Sequence, residues 1–364
     1  MVLLLNFLLS PYFSYSRSAT LIVGHNGGIK MKSIKISAVA AVAMGAMALA
    51  TPAAFASCEP GEIVIKFSHE VKETGHPKGD AANLLADRVN KEMNGTACME
   101  VYPNATLYDD NKVFEAMLLG DVQLAAPSLA KFESYTLKYR LFDLPFLFSS
   151  LEAVDKFTNG PKGKELLGAI NHIGYTGLNF WGSGLKQFSA KKPLILPTDA
   201  AGLKFRVQTS DVAVAMINAI GGSAQKLAFG EVYGALQTGV VDGQENTWSN
   251  IYTKKFFEVQ DGVTETNHQL LAYLLVTSSE WLNGLDADVR AQFLKIVDEV
   301  TIKSNGLVAE KEAKNRQNIL DAGGTIVELT DEQRKAWADA MKPVWAKFEK
   351  DVGKDMIDAA VASN

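Results

Sequence analysis

The segment Gly202-Leu-Lys-Phe-Arg-Val-Gln-Thr-Ser210 places one arginine inside a short apolar run. Leu203–Val207 is predicted to form a strand, and Asp211–Ile220 the helix that follows it, which ends at Gly221-Gly222. Arg206 therefore falls at the carboxyl end of the strand, where ligands bind in α/β sheets. A guanidinium there can hold a carboxylate through two parallel hydrogen bonds. The alternative is a structural arginine paired with a nearby acid.

Short strands and helices alternate through the rest of the chain, which predicts an α/β fold. Further strands are predicted at Ile63–Ser68, Cys98–Tyr102, Leu124–Ala126, Thr176–Trp181 and Leu271–Thr277. Further helices are predicted at Pro77–Met93, Asn111–Leu119 and Glu231–Thr238. No repeat or Pro/Ser-rich linker interrupts the chain after residue 57, which favours lobes joined by several chain crossings.

The longest predicted element runs from Asp286 to Ala322 and keeps one apolar face at three- and four-residue spacing. A single helix of this length would measure about 50 Å, which is too long for one compact domain. It would therefore run along two lobes and tie them together. The alternative is two helices with a break near residues 304–306, where Gly306 could interrupt the pattern.

The amino terminus has the pattern of a secretory signal. Ile36–Ala56 is almost wholly apolar, follows two lysines, and ends in Ala54-Phe55-Ala56, small residues at the positions that a signal peptidase requires. Met31 is interpreted as the true start, and residues 1–30 as an upstream segment. A membrane anchor and a lipoprotein attached through Cys58 are the alternatives.

Charge and motifs argue against nucleic-acid binding and common enzyme classes. Four of the 36 basic residues and none of the 41 acidic residues lie in residues 1–56. The rest of the chain therefore has 32 basic and 41 acidic residues, a net charge of −9. A nucleic-acid binder would be basic. The chain has no G-x-G-x-x-G, Walker A, G-x-S-x-G or H-E-x-x-H motif, so we expect no cofactor and no metal site. A scattered Ser/His/Asp triad stays open.

The two cysteines, Cys58 and Cys98, each adjoin an apolar strand-like run. In an oxidising compartment cysteines on neighbouring strands can form a disulfide. Two reduced thiols are the alternative.

An ordered set of motifs resembles the periplasmic solute-binding proteins of TRAP transporters, the tripartite ATP-independent periplasmic family. The similarity spans residues 60–350 and is strongest in the dicarboxylate-binding (DctP) subgroup. The motifs are Phe67-Ser68-His69, His76-Pro77-Lys78-Gly79, Val101–Asn104, Leu118–Asp121, Ala126–Ala130, Phe142–Phe148, Lys204–Val207 and Phe229–Asn246. Any one fragment is weak, but their order is specific. Thr247 departs from many members, which have proline there.

The resemblance implies a substrate-binding site. Arg206 matches the arginine that forms the main salt bridge to the substrate carboxylate, and Asn246 an asparagine that binds the same group. Phe229 matches an aromatic wall, and Lys186 a position where some members have a second arginine. His69 and Ser128 fall on loops that face the cleft. On residue type alone, Phe229 is more often core, His69 a loop cap and Lys186 a surface lysine.

The resemblance also implies a two-lobed periplasmic-binding-protein-like fold, with mixed sheets flanked by helices. The expected lobes are residues 57–183 plus 272–311, and 184–271 plus 312–364. The expected function is a non-enzymatic periplasmic receptor that binds a C4-dicarboxylate and delivers it to a permease of one small and one large membrane subunit. A binder of another organic acid, a sensor component and a secreted hydrolase are the alternatives. Some members dimerise through carboxyl-terminal helices, here residues 331–361.

Overall fold

The computed structural model describes residues 58–364. The predicted upstream segment and secretory signal, residues 1–56, lie outside the described residues. Within residues 58–364 no helix combines the length and apolar character needed to cross a membrane.

Eleven strands are found among the described residues. They are β1 Ile63–Ser68, β2 Ala97–Tyr102, β3 Leu124–Ala125, β4 Tyr175–Leu185, β5 Gln187–Ala190, β6 Lys204–Val207, β7 Ser223–Lys226, β8 Gly243–Asn246, β9 Gly262–Glu265, β10 Leu270–Ser278 and β11 Ile326–Glu328. All six strands predicted from the sequence are confirmed, with ends displaced by a few residues at most.

The strands form two mixed sheets. The first has the order β2-β1-β3-β10-β4, in which β1 is parallel to β2 and β3, and β10 is antiparallel to β3 and β4. The second has the order β11-β9-β5-β8-β6-β7. In it β5 is antiparallel to β8 and β9, whereas β6 is parallel to β7 and β8. The predicted α/β architecture with mixed sheets is confirmed.

Thirteen α-helices flank the sheets over the same part of the chain. They are α1 Pro77–Glu92, α2 Val113–Leu118, α3 Leu151–Asn159, α4 Pro161–Leu167, α5 Asp211–Ala219, α6 Val232–Thr238, α7 Trp248–Thr253, α8 Ser279–Gly284, α9 Ala287–Asn305, α10 Val308–Asp321, α11 Asp331–Met341, α12 Val344–Val352 and α13 Lys354–Val361. Local chemistry sets their ends: α1, for example, begins with His76 as its cap and Pro77 in its first turn.

The long predicted element consists of two consecutive helices. α9 ends before Gly306, and α10 begins after Leu307. The single uninterrupted helix is therefore wrong, and the alternative with a break near Gly306 is confirmed. α9 packs on α1 and β4 beside the first sheet, whereas α10 packs on α7, which follows β8 of the second. The segment thus runs along both sheets, as the sequence pattern predicted.

Each sheet packs on its own apolar core. Beside the first sheet, Trp181 and Phe293 lie in a buried cluster that joins α1 and α9. Beside the second, Phe188 stacks on Trp337 with 5.3 Å between ring centroids, and Phe205 packs in the same cluster. Burial of these large apolar side chains is the main force that holds each layer together.

Two of the chain crossings between the sheets lie side by side. Only Lys186 separates β4 from β5, and a short segment separates β9 from β10. The crossings bind each other, because the Lys186 amide donates to the Gln269 carbonyl at 2.7 Å and the His268 amide donates to the Lys186 carbonyl at 3.2 Å. Joining through crossings rather than a single linker agrees with the sequence. The exact lobe boundaries stay a prediction.

The cysteines are paired. Cys58 and Cys98 form a disulfide that ties the start of the described chain to β2. Of the two alternatives left by the sequence, the structure has the bridge.

Candidate ligand-binding site

A polar cavity lies between loops of the first sheet and strand ends of the second. The first sheet and its loops contribute Glu70, Val71, Ser128, Lys131, Leu271 and Tyr273. The second sheet and its loops contribute Arg206, Gln208, Phe229, Asn246 and Asn250. Four of the six residues predicted for the site therefore line the same cavity: Ser128, Arg206, Phe229 and Asn246.

Strand geometry brings Arg206 and Asn246 together. β6 and β8 run parallel, with Arg206 opposite Gln244, so both strands end at the same edge of the sheet. Asn246 lies at the end of β8, and both side chains are 3% exposed. The position at the carboxyl end of a strand, expected from the sequence for Arg206, is the one that it occupies.

A backbone carbonyl orients the Arg206 guanidinium. Nε and Nη2 both donate to the Leu227 carbonyl, at 3.1 and 2.9 Å. Within residues 58–364 no acid lies within salt-bridge distance of Arg206, so the alternative of an acid-paired structural arginine does not describe it. Burial lowers the pKa of Arg206, against the opposing effect of Glu245 and other acids. A buried guanidinium without a paired acid favours an anionic ligand.

Phe229 lies next to this cation. Its ring centroid is 5.9 Å from Arg206 Cζ and 5.4 Å from Lys254 Nζ. The ring contacts Phe256 edge-on, at 5.9 Å between centroids, which fixes its plane. Phe229 is thus both a core residue and a wall of the cavity, so the two interpretations offered by the sequence are compatible.

Ser128 links the two sides of the cavity. Its hydroxyl donates to Gln208 Oε1 at 3.0 Å, and its amide donates to Asp110 Oδ2 at 3.3 Å. Ser128 precedes the 3-10 helix Leu129–Phe132, whereas Gln208 follows β6 directly. This hydrogen bond therefore joins a loop of the first sheet to a strand end of the second.

The second cation of the cavity wall is Lys131. Its side chain is buried, and Nζ donates to Asn111 Oδ1 at 2.8 Å. It forms no salt bridge with a described acid. Sequence reasoning missed this residue, although it follows Ser128 by one 3-10 turn and comes directly after the motif Ala126–Ala130.

Glu70 is an acid in the same wall. Burial, and secondarily the neighbouring Asp110, raises the pKa of Glu70 to about 8, against the opposing charges of Lys78 and Lys131. At neutral pH its carboxyl group is therefore largely protonated and can donate a hydrogen bond. A neutral acid is compatible with an anion nearby, whereas an ionised one would repel it.

Lys186 lies outside the cavity wall, in contrast to its predicted contact with the ligand. Its Nζ is 2.9 Å from Glu245 Oε2 and donates to Gln269 Oε1 at 2.7 Å. Glu245 already neutralises its charge, because β8 places this acid next to the crossing between β4 and β5. It is not a surface lysine either, since its side chain is 1% exposed.

His69 is fully buried and is not part of the cavity wall. Neither ring nitrogen has a hydrogen-bond partner among the described residues. Burial, reinforced by the charge of Lys78, lowers the pKa of His69 to about 3, so the ring is neutral. Its ring packs edge-on against Phe67, at 5.8 Å between centroids.

A larger cavity, of about 460 Å³, lies on another face, between α3 and the junction of α9 and α10. Its wall is mainly apolar, and its charged residues are Glu152, Asp155 and Lys156. Two acids beside one lysine do not favour an anion. The smaller cavity with Arg206 and Lys131 is therefore the better candidate for a carboxylate site.

Two mixed sheets joined by paired crossings, with a buried cationic cavity between them, define a two-lobed solute receptor. The DctP family, described as bacterial extracellular solute-binding protein, family 7, matches residues 67–351. The chain belongs to this family.

Named relatives cover most of the chain. It is 60% identical to the C4-dicarboxylate-binding periplasmic protein DctP of Vibrio cholerae over 323 residues, which cover 89% of this chain and 97% of the relative. It is 48% identical to the protein of the same name from Shewanella loihica, over 82% of this chain and 89% of the relative.

Solved structures agree. A TRAP periplasmic solute-binding protein from Shewanella oneidensis with bound succinate has a TM-score of 0.82 and 46% identity, over 83% of this chain and 99% of its own. A second, from Pseudomonas aeruginosa with bound L-malate, has a TM-score of 0.77 and 43% identity, over 78% of this chain and 99% of its own. The resemblance inferred from the motifs is confirmed.

Proposed function

We propose that the chain is the extracytoplasmic receptor of a TRAP transporter and binds a C4-dicarboxylate in the cavity beside Arg206. The observation that carries the proposal is this guanidinium, which is buried, oriented by Leu227 and free of a salt bridge to any described acid. The relatives named for C4-dicarboxylates and the neighbours with succinate or malate support the choice of ligand.

The arrangement of charges suits two carboxylates. Arg206 and Asn246 would hold the first, and Lys131, on the opposite side of the cavity, the second. Removing a carboxylate from water costs several kcal/mol unless a charge pairs with it, so two cations are needed for a dianion. Charge-assisted hydrogen bonds to both supply the attraction, and micromolar affinity requires about 8 kcal/mol net.

The remaining groups of the site would shape selectivity. Phe229 would pack on the carbon skeleton beside Arg206, and Ser128 would hold Gln208 against the opposite loop. Lys186 would act behind the wall, by pairing with Glu245 next to Asn246. His69 remains a proposed cleft residue that would act through contacts of its loop rather than through the cavity wall itself.

Ligand contacts from both sheets would favour a closed form over an open one. A ligand that touches Lys131 on one side and Arg206 on the other gains both contacts only when the two sides meet. The loaded receptor would then present a different surface to a small and a large membrane subunit. In this proposal the chain catalyses no reaction, and the segment at residues 36–56 directs it to the periplasm.

A thermal-shift screen of organic acids tests the proposal. Succinate, fumarate and malate should raise the melting temperature, because a ligand that binds only the folded state stabilises it by mass action. Succinamide, which has the same skeleton without charge, is the matched control and should have no effect. A shift with sugar acids or aromatic acids but not with dicarboxylates would contradict the proposed ligand.

A further inference from the structure

A row of side-chain hydrogen bonds runs from the cap of α1 to the cavity. His76 Nε2 lies 3.0 Å from Asn250 Oδ1, and Asn250 Nδ2 donates to Asn246 Oδ1 at 2.6 Å. Asn246 Nδ2 then donates to Gln244 Oε1 at 2.9 Å. All four side chains are buried, and Asn250 and Asn246 belong to the cavity wall.

The row continues into the second sheet. Gln244 Nε2 donates to Ser189 Oγ at 2.8 Å, and Ser189 Oγ donates to Gln260 Oε1 at 3.0 Å. Gln260 Nε2 donates to the carbonyls of Val259 and Asp242, at 3.0 and 3.3 Å. Because a carbonyl can only accept, the group of Gln260 that faces these two carbonyls must be its NH2. Gln260 Oε1 then faces Ser189, whose hydroxyl must donate to it.

The other end is fixed by a backbone amide. The Lys78 amide donates to His76 Nδ1 at 3.0 Å, so that nitrogen must be the acceptor. A neutral imidazole with Nδ1 as acceptor carries its hydrogen on Nε2, which therefore donates to Asn250 Oδ1. Asn250 has only its amide nitrogen left to offer to Asn246. The direction of every hydrogen bond in the row thus follows from two backbone anchors.

We propose that His76 is a positioning residue that, through Asn250, makes Asn246 turn an N–H and not its carbonyl toward the space beside Arg206. The Asn246 carbonyl is occupied by Asn250, and one amide hydrogen by Gln244, which leaves the other amide hydrogen for a ligand. A donor suits a carboxylate, whereas a carbonyl at the same place would repel it. This inference deepens the proposed function and rests on it.

The row also crosses between the two sheets. His76 caps α1, which packs beside the first sheet, whereas Asn250 lies on α7, which follows β8 of the second. When the two sides separate, Asn250 loses the partner that sets its orientation. The donor side of Asn246 is therefore fixed only while the two sides are in contact.

A measurement without ligand tests the anchor of the row at His76, which the Lys78 amide sets whether or not the two sides are in contact. The ¹⁵N NMR shifts of His76 should show a neutral ring protonated on Nε2 between about pH 6 and pH 8, because burial holds the pKa of His76 well below its usual value. A ring protonated on Nδ1 would overturn the inference. This readout does not depend on whether the ligand is a dicarboxylate.

Affinity for succinate, measured by calorimetry, tests the consequence. We expect His76→Phe and Asn250→Leu each to weaken binding about tenfold, the effect of one well-placed hydrogen bond, and His76→Gln, which can accept and donate, to restore most of it. In an Asn246→Ala background His76→Phe should have no further effect. His172→Phe, at an exposed histidine, is the matched control.

An equal loss from His76→Phe in both backgrounds would show a merely structural role and would overturn the inference, as would an Asn246→Ala variant with unchanged affinity. A wild-type protein that ignores succinate but has the expected His76 tautomer would contradict the proposed ligand and leave the direction of the row intact.

Discussion

Lys186 and Glu245 form an ion pair in which each side chain is 1% exposed, with Nζ 2.9 Å from Oε2. Lys186 lies at the crossing between β4 and β5, and Glu245 precedes Asn246 on β8. His268 Nε2 lies 3.7 Å from the same oxygen. The pair therefore connects a crossing between the sheets to the strand that carries a proposed ligand contact.

Breaking this ion pair should lower the stability of the folded protein. We expect Lys186→Met to lower the free energy of unfolding by about 3–5 kcal/mol, because it leaves Glu245 as an unpaired buried charge. Chemical denaturation measures the change. The double variant with Glu245→Leu should recover much of the loss. Lys295→Met, which removes one partner of an exposed pair with Glu299, should have little effect. An unaffected Lys186→Met variant would contradict the burial of this pair.

Lys131 should distinguish dicarboxylates from monocarboxylates. We expect Lys131→Met to weaken succinate binding by more than tenfold, on the order of 2 kcal/mol for a lost charge-assisted hydrogen bond. Butyrate, which has one carboxylate, should lose little. Lys131→Arg keeps the charge and serves as the control. If both ligands weaken equally, Lys131 does not pair with the second carboxylate.

Binding should weaken as Glu70 ionises. Its pKa of about 8 lies above the ordinary value of 4.5, so the carboxyl is mostly neutral at pH 7 and becomes charged as the pH rises through 8. Asp110, Lys78 and Lys131 are the charged groups that affect its pKa, and Arg206 and Lys254 also lie close enough to interact with its charge. A bound dianion favours the neutral form further, so succinate binding should take up protons, and affinity should fall above pH 8.

The stability of the folded protein should also fall as the pH rises and Glu70 ionises. A carboxyl whose pKa is higher in the folded protein than in the unfolded chain contributes stability that is lost as the pH rises from about 4.5 to 8. Calorimetry of succinate binding, in buffers of different ionisation enthalpy, measures the proton uptake. The Glu70→Gln variant should bind succinate without proton uptake from this site. If the uptake persists unchanged in this variant, another group takes up the proton.

The strands with apolar runs could be predicted from the sequence, but the strand that carries Asn246 could not. β10 reads as a continuous apolar run and is buried throughout, as a central strand should be. β8 consists of Gly-Gln-Glu-Asn and is also fully buried. Gln244 and Asn246 form hydrogen bonds with each other, with Ser189 of β5 and with Asn250 of α7, and Glu245 pairs with Lys186, none of which a local pattern reveals.

The candidate site shows the same limit. Arg206 could be singled out as a candidate by its place at the end of an apolar strand, but only the family resemblance favoured a ligand contact over an acid-paired structural arginine. The different surroundings of Lys131 and Lys186 could not be predicted, since they depend on which acids the fold brings near. Glu245 adjoins Lys186 only because β5 and β8 pair in antiparallel register, whereas no described acid forms a salt bridge with Lys131.

The account depends most on Arg206, and one calorimetric titration tests it. We expect Arg206→Ala to lose succinate affinity by at least about a hundredfold, since it removes a charge-assisted, bidentate partner worth roughly 3 kcal/mol or more. Arg290→Ala is the control, because within residues 58–364 the Arg290 side chain forms a hydrogen bond only with the Asn283 carbonyl. Circular dichroism should show that both variants are folded. A folded Arg206→Ala protein that binds succinate as tightly as the wild type would contradict the account.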